Sequence, residues 1–103
     1  MFDDKTSVTL TGTVRVFQWT NPHCWIQVLV PGEGGTAVEW SVEMGAPVEL
    51  YRHGWRPTTL KSGDRITVTL HPMRNGARGG LHVASILDDC SGRDLPASLC
   101  KRS

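Results

Sequence analysis

The stretch from Ser7 to Phe17, SVTLTGTVRVF, sets Val8, Leu10, Val14 and Val16 against Thr9, Thr11, Thr13 and Arg15. A period of two sustained over that length makes a strand with one apolar and one polar face. Gly12 interrupts it in the middle. A glycine inside a strand marks a bulge or a sharp bend, the device by which one strand serves two parts of a barrel, so the chain is expected to turn at Gly12.

Four more segments carry strand patterning. His23 to Val30 is the second strand, and PGEGG closes it as a turn. The third, Ala37 to Met44, has Val38, Trp40, Val42 and Met44 on one face and Glu39, Ser41 and Glu43 on the other. The period then changes. In GAPVELYRHG, Gly45 to Gly54, a proline stands near a helix start and a glycine near its stop, which predicts a short helix of about two turns. Asp64 to Pro72 is the fourth strand, with Ile66, Val68 and Leu70 facing inward, and Leu81 to Leu87 the fifth, after an MRNGARGG loop. Strand, strand, strand, helix, strand, strand is the element order of the OB-fold. The expected fold class is all-β with one short helix: a five-stranded, OB-fold-like Greek-key barrel whose helix plugs one end. Closure removes most strand edges and wraps one apolar interior, which suits a chain of 103 residues. Residues 1–88 form the barrel domain in this reading, and residues 89–103 an irregular C-terminal tail.

A net charge of +1 argues against a general nucleic-acid coat, whose affinity comes from many phosphate-neutralising side chains. The charge is unevenly spread: residues 1–51 hold two bases and six acids, the remainder nine bases and four acids. Either the halves attract each other or the basic half faces a partner. No apolar run approaches the roughly 20 residues of a membrane helix, so no membrane insertion is expected. The three cysteines, Cys24, Cys90 and Cys100, include no Cys-x-x-Cys pair. Cys90 and Cys100 bracket the tail CSGRDLPASLC, which can close a short disulfide in an oxidising compartment or remain as two thiols in a reducing one.

The segment WTNPHCWI, Trp19 to Ile26, places His23 beside Cys24 between two tryptophans. Neighbours on a strand point to opposite faces, so the pair is poorly placed to clasp one metal ion. Parity sends Cys24 inward with Ile26, Val28 and Val30, and His23 outward with Trp25 and Gln27. A buried thiol is a poor nucleophile because its pKa rises. If the first strand keeps register past Gly12, Phe17 and Trp19 point outward beside Trp25; a bulge there reverses them. Trp19, Asn21, His23 and Trp25 then lie by the first loop, where OB-folds commonly bind ligands together with the loop joining strands four and five. That second loop carries Arg74 and Arg78 between His71 and His82. Stacking aromatics beside mobile cations suit an anionic or ring-bearing ligand. The alternative is that the tryptophans pack under loops and the arginines merely solvate a hairpin tip.

His53, His71, His82 and His23 have neither i, i+4 helical spacing nor His-x-His strand spacing, so a four-histidine metal site is not expected. No nucleophile elbow, phosphate loop or His-Glu-x-x-His sequence is present, and Glu39 with Glu43 is an ordinary polar face. No cofactor and no catalytic residue is expected.

The segments LTGTVRVFQWTNPHCWIQV, VEWSVEMGAPVELYRHGW and LKSGDRITVTLHPMRNGARGG together resemble a family of small, mostly exported bacterial proteins known only as a domain of unknown function. The resemblance runs from Val8 to Leu87 and rests on a Trp-Thr-Asn-Pro-His-x-Trp motif, here Trp19, Thr20, Asn21, Pro22, His23 and Trp25. Family members typically carry valine at the position of Cys24, a signal peptide, and a histidine-bearing segment ahead of the region matching Phe2 and Asp3. The resemblance implies a periplasmic or otherwise exported location and supplies no reaction.

The expectation is a non-enzymatic binding module that engages a partner protein or small anionic ligand through Trp19, Asn21, His23, Trp25, Arg74 and Arg78. Two alternatives are a copper- or zinc-handling accessory protein, using His23 with histidines of the preceding segment, and a single-stranded nucleic-acid binder, which the charge disfavours.

Overall fold

The computed structural model describes residues 2–100. Five strands, β1 (Val8–Gln18), β2 (Trp25–Pro31), β3 (Ala37–Glu43), β4 (Arg65–Pro72) and β5 (Gly79–Leu87), close a barrel in the order β1-β2-β3-β5-β4. One short helix, α1 (Pro47–Arg52), follows β3, and two single 3₁₀ turns span Glu33–Gly35 and Ala97–Leu99. Neighbouring strands are antiparallel except β3 and β5, which run parallel for three residue pairs. This is the OB-like architecture that the element order implies.

β1 does bridge two parts of the barrel, pairing with β4 through Val8–Thr13 and with β2 through Thr13–Gln18. Its irregularity is not at Gly12, however. Gly12 sits in regular register opposite Ile66, and the extra residue is Arg15, between Val14 and Val16. Glycine at position 12 answers a different need: a Cβ there would lie 2.2 Å from the Leu29 carbonyl oxygen, so only a residue without one lets β1 cross β2 this closely. The bulge at Arg15 reverses the parity of the residues after it. Val14 and Phe17 both point to the barrel interior, and Arg15 swings out to pair with Glu39.

The interior is filled by Val14, Ile26, Val28, Val42, Ile66, Val68, Leu70 and Leu87, all essentially inaccessible to water. They are the inward halves of the alternating patterns, and burying each such side chain is worth about 1.5–3 kcal/mol. Cys24 belongs to the same set. Gln27, facing outward by parity, is buried as well, because its amide donates to Gln18 Oε1 at 2.8 Å and accepts from the Ser41 hydroxyl.

The barrel closes through Gly79 and Gly80, which the sequence assigns to a loop but which begin β5. They pair with Ser41 and Val42 of β3, and a Cβ on Gly80 would stand 2.1 Å from the His71 carbonyl oxygen. The residues after β5 return to the barrel: Leu99 is fully buried, Cys90 is bonded to Cys100, and Arg93 forks onto both carboxylate oxygens of Asp64 at 3.0 Å. Among the described residues every ion pair joins groups within one half of the sequence, so the opposite net charges of the halves are not what hold the fold together.

Candidate functional site

The turn between β1 and β2 is fixed by its own polar groups. The Asn21–Pro22 peptide is cis, the Thr20 hydroxyl donates to the His23 carbonyl at 2.7 Å, and Cys24 exchanges backbone hydrogen bonds with Met44 and Gly45. This ladder puts Cys24 inside, where burial pushes its thiol pKa up, and His23 outside. The two side chains of the His-Cys pair therefore serve opposite faces.

Trp19 does not stand beside Trp25. The bulge at Arg15 turns the end of β1 so that Phe17 meets the buried Trp55, with ring centroids 5.8 Å apart, and Trp19 packs edge-on against Phe17 at 5.9 Å. Trp19 borders a shallow recess with Pro47, Val48 and Tyr51 instead. Asn21 lies at the exposed tip of the turn. Arg74 donates from Nε to the Phe2 carbonyl at 3.2 Å and so fastens the N-terminal segment.

Trp25 and Arg78 are brought to one recess. They line a groove of about 340 Å³ between the β2–β3 surface and the β4–β5 hairpin, with Ser41, Glu43, Met73 and Phe2. Its walls are mostly apolar. Arg78 is exposed at the rim, and its backbone carbonyl accepts from Ser41 N–H at 3.1 Å, which anchors the hairpin to β3. Glu43 sits across from Trp25 in the β2–β3 register, and its carboxylate lies 3.5 Å from His23 Nδ1.

His23 faces a second concavity, a cleft of about 380 Å³ where β3 ends, floored by Met44, Leu50 and Trp55 and edged by β5 from Leu81 to Ser85. Three histidines line it: His23, His53 and His82. His23 Nδ1 lies 3.0 Å from the Met44 carbonyl oxygen, and His53 Nδ1 lies 2.9 Å from that of Glu49. A carbonyl only accepts, so Nδ1 is the donor in both rings, and each neutral ring presents a lone pair at Nε2. His82 is different. It is largely enclosed, bonded through Nε2 to the Ser85 hydroxyl at 3.0 Å and packed edge-on to Trp55, and burial holds its pKa down at about 4. His71 lies outside the cleft, its Nδ1 bonded to the Thr6 carbonyl.

Sequence spacing alone missed this cleft. His53 and His82 are far apart in the chain, and Trp55, which supports both the cleft and Phe17, follows a glycine with no strand or helix pattern around it. The exposed apolar residues Leu81 and Val83 on β5 mark it in the structure, but their exposure is not readable from the sequence. Among the described residues no three His, Cys, Asp or Glu side chains gather as a metal-binding group. No described helix is long and apolar enough to cross a membrane.

No curated protein and no solved structure matches the chain. A family of unknown function, DUF6152, matches residues 1–83, which include the tryptophan-flanked turn, the helix and the Arg78 hairpin. The chain belongs to that family.

Proposed function

We propose that the protein is an exported, non-enzymatic binding module that takes a small anionic ligand, or an anionic side chain of a partner protein, in the groove between Trp25 and Arg78. The observation that carries this reading is that Trp25 and the exposed Arg78 line one mostly apolar groove, flanked by the β4–β5 hairpin, the region OB-type barrels use for recognition. A guanidinium recognises a carboxylate or phosphate by a two-pronged hydrogen bond, and an adjacent indole holds a planar group by stacking. Glu43 also lines this groove, so the anion belongs at the Arg78 rim and not beside that carboxylate.

Phenyl phosphate is a suitable probe, since it offers both a ring and an anion. Amide-shift mapping is expected to show responses at Trp25, Ser41 and Ala77 to Gly80. Responses confined to other surfaces at millimolar probe would overturn the reading. Export is supported by the Cys90–Cys100 bond, which persists in oxidising compartments. Mass analysis of cell-derived protein, denatured and alkylated under non-reducing conditions, is expected to find one alkylated thiol, that of Cys24; three would contradict export.

A further inference from the structure

The segment ahead of β1 is laid against the far end of β4 and its hairpin. Phe2 forms an antiparallel bridge with Met73, and Asp3 N–H donates to the Pro72 carbonyl at 2.9 Å. His71 Nδ1 donates to the Thr6 carbonyl at 2.9 Å, while the Thr6 hydroxyl and Lys5 N–H donate to the Asp3 carboxylate at 2.8 and 3.1 Å. Those two bonds, that of Thr6 first, hold the Asp3 pKa below its ordinary value, and the charges of Arg74 and His71 add to them. Residues 2–6 are thus tied down by their own polar groups, and Phe2 is where this segment reaches the Trp25–Arg78 groove.

Phe2 and Trp25 are the two aromatic residues among the described residues lining that groove. Gly79 and Gly80 contribute backbone alone, and the remaining apolar surface comes from Met73 and Ala77. Two aromatic residues on one recess of about 340 Å³, near the small end of the range for ligand pockets, suit a single flat ring. The two arginines of the hairpin are used differently. Arg78 lines the groove, whereas Arg74 does not, and its Nε is given to the Phe2 carbonyl at 3.2 Å.

We infer that Phe2 is a specificity-determining residue of this groove, selecting anions that carry an aromatic ring over anions that do not, and that Arg74 is a positioning residue acting through the Phe2 carbonyl. The inference rests on the reading of the Trp25–Arg78 groove as an anion site and narrows its ligand to a ring-bearing carboxylate or phosphate. An aromatic contact and a charge-assisted hydrogen bond act on different parts of such a ligand. The share of the ring can therefore be read as the ratio of affinities for two phosphates that differ only in having it.

The test titrates phenyl phosphate and methyl phosphate separately into the full chain and follows amide shifts. The unaltered chain is expected to prefer phenyl phosphate. Phe2→Ala is expected to reduce that preference roughly five- to tenfold, the size of one aromatic pair, with methyl phosphate affinity kept within about twofold. Phe2→Tyr, which keeps the ring, should retain the preference. Arg74→Ala should reduce it in the same sense by a smaller factor, and should add nothing on top of Phe2→Ala, as for two residues acting through one contact. Methyl phosphate binding by the same variants shows that the groove has kept its shape. An unchanged ratio in Phe2→Ala, whether by no loss or by equal loss of both phosphates, overturns the role of Phe2 and leaves the groove reading standing. Equal weakening of both phosphates by Arg74→Ala would put its guanidinium on the anion and overturn its positioning role. If neither phosphate shifts Trp25, Ser41 or Ala77 to Gly80 in the unaltered chain, the groove reading itself fails and takes the inference with it.

Discussion

The two concavities of this barrel approach each other at the Glu43–His23 pair, one residue lining each, and yet are built by different means. The Trp25–Arg78 groove forms where β3 and β5 are joined, on the closed part of the sheet, and it is mostly apolar with the exposed Arg78 among its lining residues. The histidine cleft forms where the same two strands part, and it offers three histidines over an apolar floor. One barrel thus presents a groove with an arginine in its lining and a cleft lined, among the described residues, by no lysine or arginine. Which of the two a region becomes depends on whether β5 has a neighbour there.

The strongest way to break the comparison is at Gly80, on which the closed part depends. Gly80→Val would drive a Cβ into the His71 carbonyl and force β4 and β5 apart. Misfits of this kind lie in the severe tail of single substitutions, so a loss above about 4 kcal/mol is expected in urea unfolding. A loss below about 1 kcal/mol would mean that the strands close without the contact.

Acid addresses the cleft through His82. The folded protein holds His82 at a pKa of about 4 against an ordinary 6.5, so the unfolded chain binds the proton more readily. Its contribution is intact above pH 6.5 and is lost progressively as the pH falls toward 4, with a total of about 3 kcal/mol. His82→Gln should flatten the pH dependence of stability within that window. An unchanged slope would show that His82 is hydrated.

The Cys90–Cys100 bond closes the tail that carries Ser98 to the end of the cleft. Replacing both cysteines by serine is expected to cost about 2–3 kcal/mol by the loop-closure argument and to speed amide exchange at residues 82–87 more than at Trp25. Uniform acceleration would dissolve the distinction between the two regions. The smallest effect belongs to Arg78, an exposed residue away from the core. Arg78→Ala should leave stability within about 0.5 kcal/mol while weakening phenyl phosphate roughly tenfold, as for a lost charge-assisted hydrogen bond. Unaltered affinity would place the anion elsewhere.

Much of the barrel was legible in the sequence because alternation is local. Ile66, Val68 and Leu70 announce one face of β4, and parity alone assigns Cys24 to the interior. The bulge was not legible, since apolar residues at 14, 16 and 17 suit either phase and the register against β2 decides between them. The orientation of Trp19 was lost with it. Of the expected recognition residues, Trp25 and Arg78 share a groove, His23 faces the cleft, Trp19 packs on Phe17, Asn21 sits at a turn and Arg74 holds Phe2. The cleft itself has no sequence signature. It exists because β3 leaves β5 after Leu81, a property of the topology that brings His23, His53 and His82 together from three separate elements.

The separation of the two concavities is most directly tested by one amide-shift map of the full chain titrated with phenyl phosphate. The account predicts responses centred on Trp25 and Arg78, with the cleft residues Val83 to Ser85 unmoved. Responses centred on the cleft, or shared equally by both regions, would contradict it.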